Sequence, residues 1–485
     1  MSPVQEVSPI RTWIKALTGE KGLVAASAVC VAAVLAYGIS DLKIFLAGIL
    51  VVPLMVYAAF KRPMIFPLGV YLFLIPFDSL LSVTGNASGT TVTMLLGAAS
   101  ILILVLKGTV ENRLDQPGGL VMPWVLFIAF ALLSMIWATQ PDLARRRITT
   151  AIGLLLLYVV SASYRTSRKD YESIKLFIFA GGLLAAAATI FTYLSVGGQG
   201  VAGRTAMEMG GRQAGLNRIP FDLLIPVSIC IAMATESKRR IMQVAMGGAL
   251  MLFCIGIVLT GSRGGTIAVM VIGAVYLLSA RKKIAVAAVV AIVVLAIMPF
   301  IPDFFVERVD VAVESGGDGR TIIWNIGWHS LEKYWLLGAG LDNFPKAYTE
   351  YVDVGPVFIG LDRAPHNIFI GNFVELGLIG LVMMVIAFGR QYRELVRARR
   401  AGPDTTALRA VFWAMIAASF FQDTLWYKSF WMLWMMIAMH RNVLRVERRL
   451  SREYGVSSYG GGDYSPVQER SPYRKDAPSA FGARS

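Results

Sequence analysis

His366 stands in Ala364-Pro365-His366-Asn367-Ile368-Phe369, where a long polar stretch gives way to an apolar one. Histidine is the side chain best suited to move a proton near neutral pH, so a histidine at such a boundary is a candidate general base. The same position, flanked by Pro365 and Asn367, also suits a residue that only starts a helix. Of the other two histidines, His329 lies in an amphipathic stretch and His440 sits beside Arg441 at the far end of an apolar run. Arg263 comes next, in Thr260-Gly261-Ser262-Arg263-Gly264-Gly265. Small neighbours leave its guanidinium accessible and allow close helix packing, although a snorkelling arginine would look alike. Arg204, Arg212, Arg218, Arg308, Arg320 and Arg363 fall in two polar stretches. Single arginines there are readily solvated or paired, but together they suit an anionic group, because the guanidinium fork matches phosphate geometry. Arg320 directly precedes an amphipathic helix, whose N-terminus also favours phosphate. Glu375 lies about two and a half turns past His366 on the following helix, half a turn away around it, and so is poorly placed as its direct partner. Asp423 and Lys428 are close enough in sequence to pair with each other.

Other chemistries have no support in the sequence. There is no Gly-x-x-x-x-Gly-Lys loop for nucleotide phosphates, no His-Glu-x-x-His and no Asp-x-Asp pair. No cofactor or metal is expected, and a reaction here would rest on histidine and arginine, with a carboxylate as a further candidate.

The elements that must position these residues are membrane spans. The chain is 56% hydrophobic and only 16% charged, against about 25% charged for soluble proteins. Its mean hydropathy is +0.61. Apolar runs of bilayer-crossing length are expected at 23–40, 43–60, 64–81, 91–106, 119–137, 147–164, 174–194, 219–235, 241–260, 265–280, 282–301, 366–389, 408–422 and 426–441, so about 12–14 spans in all. The net charge of +15 reflects basic clusters at alternate loops, and not nucleic-acid binding. Lys61-Arg62, Arg165 with Arg168-Lys169, Lys238-Arg239-Arg240, Arg281-Lys282-Lys283 and the 390–400 stretch form a positive-inside pattern that puts both termini in the cytoplasm. Arg145-Arg146-Arg147 breaks the pattern by falling outside. The expected organisation is a cytoplasmic N-terminus (1–22) without a cleavable signal, eleven spans (23–301), one large outward loop (302–365), the last spans (366–445) and a disordered cytoplasmic tail (446–485). The loop has ten acidic and five basic residues. Its stretch Thr321–Trp335, carrying Trp324, Trp328 and Trp335, reads as an amphipathic helix lying on the membrane surface, broken by Gly338-Ala339-Gly340. Cys30, Cys230 and Cys254 all fall in spans and form neither a metal nor a disulfide pattern. Ser-Pro-Val-Gln-Glu occurs at both 2–6 and 465–469, and no physical account of it follows.

Pro365-His366-Asn367-Ile368-Phe369 with Glu375-Leu376-Gly377 and Gly380 resembles the His-Asn…Glu-x-Gly-x-x-Gly signature of the bacterial O-antigen ligase and polymerase superfamily. Thr260-Gly261-Ser262-Arg263-Gly264 is similar to its Ser-Arg-Gly element. Arg320 and Trp324, then Gly338-Ala339-Gly340 and Phe344, resemble the start of its large periplasmic loop. Arg212-Gln213-Ala214-Gly215-Leu216-Asn217 resembles its Arg-x-x-Gly loop, with Arg218-Ile219 departing from the usual Pro-Asn continuation. The likeness covers about residues 200–390.

That resemblance implies an all-α polytopic protein of the bacterial inner membrane with its site facing the periplasm. It implies a transfer needing neither nucleotide nor metal, in which a glycan passes from an undecaprenyl-diphosphate carrier to an acceptor hydroxyl. The acceptor would be lipid A-core in a ligase, the slightly favoured form, or a growing glycan in an O-antigen or exopolysaccharide polymerase. His366 would be the base, and Arg263, Arg320 and Arg212 would hold the diphosphate. Arg204, Arg218, Asn367 and Glu375 would support them. Membrane lipids and other glycan-assembly proteins are the expected partners. The rival classes are a lipid-glycan flippase or transporter, which would line a cavity with intramembrane charge, and an inactive relative that organises a glycan-assembly complex.

Overall fold

The computed structural model describes residues 57, 59–82, 90–196, 204–209, 212–280 and 319–454. The expected spans at 23–40, 43–60 (all but its last residues) and 282–301, together with Cys30, Arg308 and the tail from 455, lie outside the described residues. The chain divides into Met1–Leu444 and Arg445–Ser485. The described part of the second unit is the helical stretch 445–454, and every candidate site residue lies in the first.

The protein is an all-α polytopic membrane protein. The helices are α1 (Leu68–Leu74), α2 (Val92–Val110), α3 (Met122–Leu133), α4 (Pro141–Ser163), α5 (Arg168–Ser195), α6 (Arg218–Glu236), α7 (Arg240–Leu259) and α8 (Arg263–Ser279). After them come α9 (Arg320–Tyr334), α10 (Phe344–Glu350), α11 (Ile368–Arg397), α12 (Pro403–Ser419) and α13 (Lys428–Tyr454). Among the described residues five helices, α2, α5, α6, α7 and α11, are long and apolar enough to cross a membrane. The β-structure there is one two-residue ladder, Glu208–Met209 against Arg212–Gln213.

Helices in a bilayer gain little from burying apolar surface and associate through close packing, which small residues permit. On α5, a Cβ at Gly181 would fall 2.2 Å from the Phe73 carbonyl oxygen, and one at Gly182 would fall 2.4 Å from Pro226. On α7, Gly256 packs against Ala186 in the same way. Larger residues fill the middle of the bundle. Trp124 of α3 meets Phe388 of α11 and Phe430, Trp431 and Trp434 of α13 at ring separations of 5.2–6.0 Å. Each such pair contributes about 0.5–1.5 kcal/mol beyond simple burial.

The apolar run after His366 is not one uninterrupted helix. Gly377 has φ 65° and ψ −169°, a break inside α11. Backbone groups freed within a membrane must find partners, and the segment after α9 supplies them. Leu378 N donates to Trp335 O at 2.8 Å, Ala339 N to Val374 O at 2.9 Å and Gly340 N to Glu375 O at 2.8 Å. This interlock needs the glycines of both motifs. A Cβ at Gly377 would lie 2.1 Å from Leu336 O, one at Gly338 2.2 Å from Glu375 O, and one at Gly340 2.5 Å from Ala138 Cβ.

The interlock fixes the direction of α9. It runs lengthwise beside the first turns of α11, with Trp324 Nε1 donating to Pro365 O at 2.9 Å, Gly327 against Ile370 and Trp328 edge-on to Phe373. The expected helix is present, but one face is committed to α11, and Ile323, Ile326, Leu331 and Tyr334 are buried.

Arg147 explains the cluster that broke the charge pattern. Its guanidinium donates twice to Asp342, at 3.1 and 2.7 Å, tying α4 to the loop. Arg145 pairs with Asp142 in its own helix. The expected Asp423–Lys428 pair does not form. Lys428 Nζ instead reaches Asp78 Oδ1 at 2.5 Å, because Asp78 already gathers Thr91, Thr93 and Arg218 at that end of the bundle.

Candidate functional site

Arg263 and Arg320, 57 residues apart in sequence, line one pocket. Asn217, Phe221, Phe421 and Gln422 line it too, with the Gly261–Gly265 turn and Ala418. Both arginines are the first residue of their helix, Arg263 of α8 and Arg320 of α9, and Asn217 is the N-cap of α6. Three helix N-termini therefore meet at the pocket. Each presents backbone N–H groups without intrahelical acceptors and the positive end of a helix dipole. Two guanidiniums added to that field give the pocket a strongly positive lining, the kind that suits an anionic group.

Local sequence explains how Arg263 arrives there. Gly261 takes φ 62° and turns the chain. Ser262 then caps α8, its Oγ accepting from Gly265 N at 3.4 Å. A Cβ at Gly264 would lie 3.0 Å from Phe421 Cβ, and one at Gly265 2.3 Å from Pro220 Cβ. The paired glycines thus let the first turn of α8 press between the start of α6 and the end of α12. Arg204 braces the turn from behind, with Nε donating to Thr260 O at 2.8 Å and Nη2 to Asn217 Oδ1 at 2.7 Å.

His366 belongs to the same neighbourhood. It takes φ 48°, a left-handed conformation that a non-glycine residue adopts rarely and at some cost. The next residue, Asn367, caps α11 by accepting from Phe369 N at 2.9 Å and Ile370 N at 3.2 Å. The cap is therefore made by Asn367, not by His366. Burial, and then the charges of Arg320 and Arg363, hold the half-buried imidazole below the ordinary histidine range. It is neutral near pH 7, the state in which it can accept a proton.

A second cavity, of about 690 Å³, shares Phe421 with the pocket. Its walls are Ile267, Val271, Ala274, Val275 and Leu278 of α8 and Trp413, Ile416, Ala417 and Phe420 of α12 to the turn after it, with Trp324 of α9. The α8 positions run over twelve residues, about 16 Å of helix. The cationic pocket thus adjoins an apolar groove running along two helices of the bundle.

The remaining sequence candidates are distributed as follows. Arg212, on the short ladder, reaches toward Ser82 O at 3.5 Å and is not among the pocket's lining residues. Arg218 pairs with Asp78 at 2.9 Å and lies 3.5 Å from Asp222. Its guanidinium also covers the Tyr427 ring. Glu375 is buried, accepts from Phe344 N at 3.4 Å and lies near the Arg147–Asp342 pair. His440 sits deep among α5, α12 and α13, hydrogen-bonded to Thr405 at 2.8 Å and packed on Tyr171. Phe421 and Gln422 are pocket residues that sequence reasoning missed. They lie in a short turn without motif or periodicity, and only the approach of α12 to α8 brings them in.

Residues 248–385 match the family model described as O-Antigen ligase. That stretch is similar to the O-antigen ligase family. The matched stretch contains Arg263, the α8 wall of the groove, α9 with Arg320, the interlocking glycines and His366, so the superfamily resemblance of those motifs is borne out. Asn217 and the α12 wall lie outside the matched stretch and contribute to the pocket and the groove from elsewhere in the chain. No curated protein matches the chain.

Proposed function

We propose that this protein is a glycosyltransferase of the ligase type, moving a glycan from a polyprenyl-diphosphate carrier to an acceptor hydroxyl at the periplasmic face of the inner membrane. The observation that carries the reading is the junction of the two cavities, a two-arginine pocket beside an apolar groove that follows about 16 Å of α8. A soluble anion would have no use for the groove, and an ordinary lipid has no need of two guanidiniums and three helix N-termini. A long isoprenoid bearing a diphosphate answers both.

The chemistry follows from the placement. Arg263 and Arg320 hold the diphosphate, and the chain from its lipid ester runs between α8 and α12 under Trp324. The acceptor oxygen bonds to the anomeric carbon of the donor sugar as the bond from that carbon to the diphosphate oxygen breaks. The electron pair leaves with the lipid diphosphate, where the guanidiniums stabilise the growing charge. The hydroxyl proton passes to neutral His366. The lipid diphosphate is itself the activated leaving group, so this step consumes no nucleotide. Lipid A-core is the acceptor in this reading.

The test is a photoreactive polyprenyl-diphosphate glycan, with its reactive group in the first isoprene units, incubated with the purified protein. Cross-links are expected on α8 and α12, around Ile267, Val271, Ile416 and Phe420. Arg263→Lys with Arg320→Lys should reduce them about tenfold or more, because an ammonium keeps the charge but loses the bidentate fork. Cross-links elsewhere in the bundle, insensitive to both arginines, would overturn the assignment.

A further inference from the structure

Two guanidiniums of different standing bear on His366. Arg320 lines the cationic pocket. Arg363 does not, yet its charge also bears on the His366 ring. The side chain of Arg363 is exposed but held in place. It folds back so that Nη2 donates to Ile359 O and packs over Gly360, where a Cβ would lie 2.9 Å from Nη2. Gly360 has φ 106° and so suits glycine alone. The nearest carboxylate in sequence, Asp362, is engaged elsewhere, with Lys346 Nζ at 2.8 Å and Thr349 Oγ1 at 3.1 Å. Asp362 itself adopts φ 53° to make that turn. Among the described residues Arg363 has no ion-pair partner, so the loop builds a fixed, solvent-facing cation beside the proposed base.

We propose that Arg363 is a specificity-determining residue for the acceptor, recognising a phosphate or carboxylate group on the sugar that carries the attacking hydroxyl. This rests on the transferase reading above. A base must touch the acceptor hydroxyl while the donor's diphosphate lies in the pocket. The acceptor therefore meets His366 from outside that pocket, where Arg363 is the fixed charge. An anionic substituent on the acceptor would dock there without competing with the donor diphosphate for Arg263 and Arg320. Its planar fork would also orient the sugar.

The experiment uses the full chain in lipid nanodiscs and two glycan acceptors identical except for one phosphate. In Arg363→Gln, selectivity for the phosphorylated acceptor should fall about tenfold, the size of one lost charge-assisted hydrogen bond. The KM for donor should hold, and Arg363→Lys should recover part of the selectivity. Unchanged selectivity, or a donor KM raised equally with both acceptors, would overturn the proposal, the latter by placing Arg363 in the donor site. Direct binding of the phosphorylated acceptor to His366→Asn protein reads Arg363 without transfer. If wild-type protein transfers nothing while this binding depends on Arg363, the transferase reading fails and the anion assignment stands. If the binding ignores Arg363, the assignment fails by itself.

Discussion

Replacing His366 with asparagine is expected to lower transfer by about 10²–10⁴-fold, the usual contribution of a positioned general base, while donor KM changes little. Asparagine is the informative substitution because it tolerates the left-handed conformation that His366 adopts at φ 48°. A purely structural histidine at that turn would therefore be replaced with little loss, and wild-type transfer in His366→Asn would remove the base from the mechanism. The wild-type pH profile supplies an independent reading. Burial and the neighbouring Arg320 and Arg363 charges lower the imidazole pKa. The base should therefore remain competent somewhat below the pH at which an ordinary histidine protonates, and the acid limb of kcat/KM should fall below pH 6.5. That limb should be absent from the residual activity of His366→Asn.

The second large effect concerns the interlock. Gly377→Ala would place a Cβ 2.1 Å from Leu336 O and 2.6 Å from Leu337 N, at a residue with φ 65°. Backbone oxygen and nitrogen cannot move aside as a side chain would, and alanine resists positive φ. The substitution should cost on the order of 3 kcal/mol or more and release the 335–343 segment. Amide hydrogen exchange at Ala339, Gly340 and Leu378 should rise, and transfer should fall, since the same segment fixes α9 and thereby Arg320. Gly389→Ala is the control, because a Cβ there meets nothing within 4 Å. Equal exchange in the two variants would mean that the docked segment is not held by this break.

Gly377 also shows how far sequence reasoning reaches. Hydropathy locates the long described helices closely, α11 from Ile368 and α8 from Arg263 among them, because apolar runs of bilayer length are a local signal, while the short α10 is not expected from them. Arg263, Arg320 and His366 can be grouped from motif order, and the structure brings them to one end of the bundle. Gly377 belongs to a recognisable signature, but nothing local says that a helix breaks there. The reason is a backbone segment some 40 residues upstream. Arg147 is visible in the sequence only as a breach of the charge pattern, since its partner Asp342 lies 195 residues away. Proximity in sequence pairs Lys428 with Asp423, whereas its partner Asp78 is 350 residues distant. The orientation of α9 escapes the sequence for a related reason: three tryptophans at helical spacing mark an apolar face without saying whether lipid or a neighbouring helix will cover it. Local chemistry is legible in a membrane sequence, and the long-range pairing that turns it into a pocket is not.

The central claim is that Arg263, Arg320 and His366 act on one lipid-diphosphate donor, and reconstituted transfer tests it most directly. Purified protein in vesicles would be given polyprenyl-diphosphate-linked glycan and a lipid A-core acceptor, with glycosylated product and released lipid diphosphate both measured. The expected result is one lipid diphosphate released for each glycan transferred, without added nucleotide, and loss of both signals together in His366→Asn. Movement of the carrier lipid across the vesicle membrane with no glycan transferred would contradict the claim.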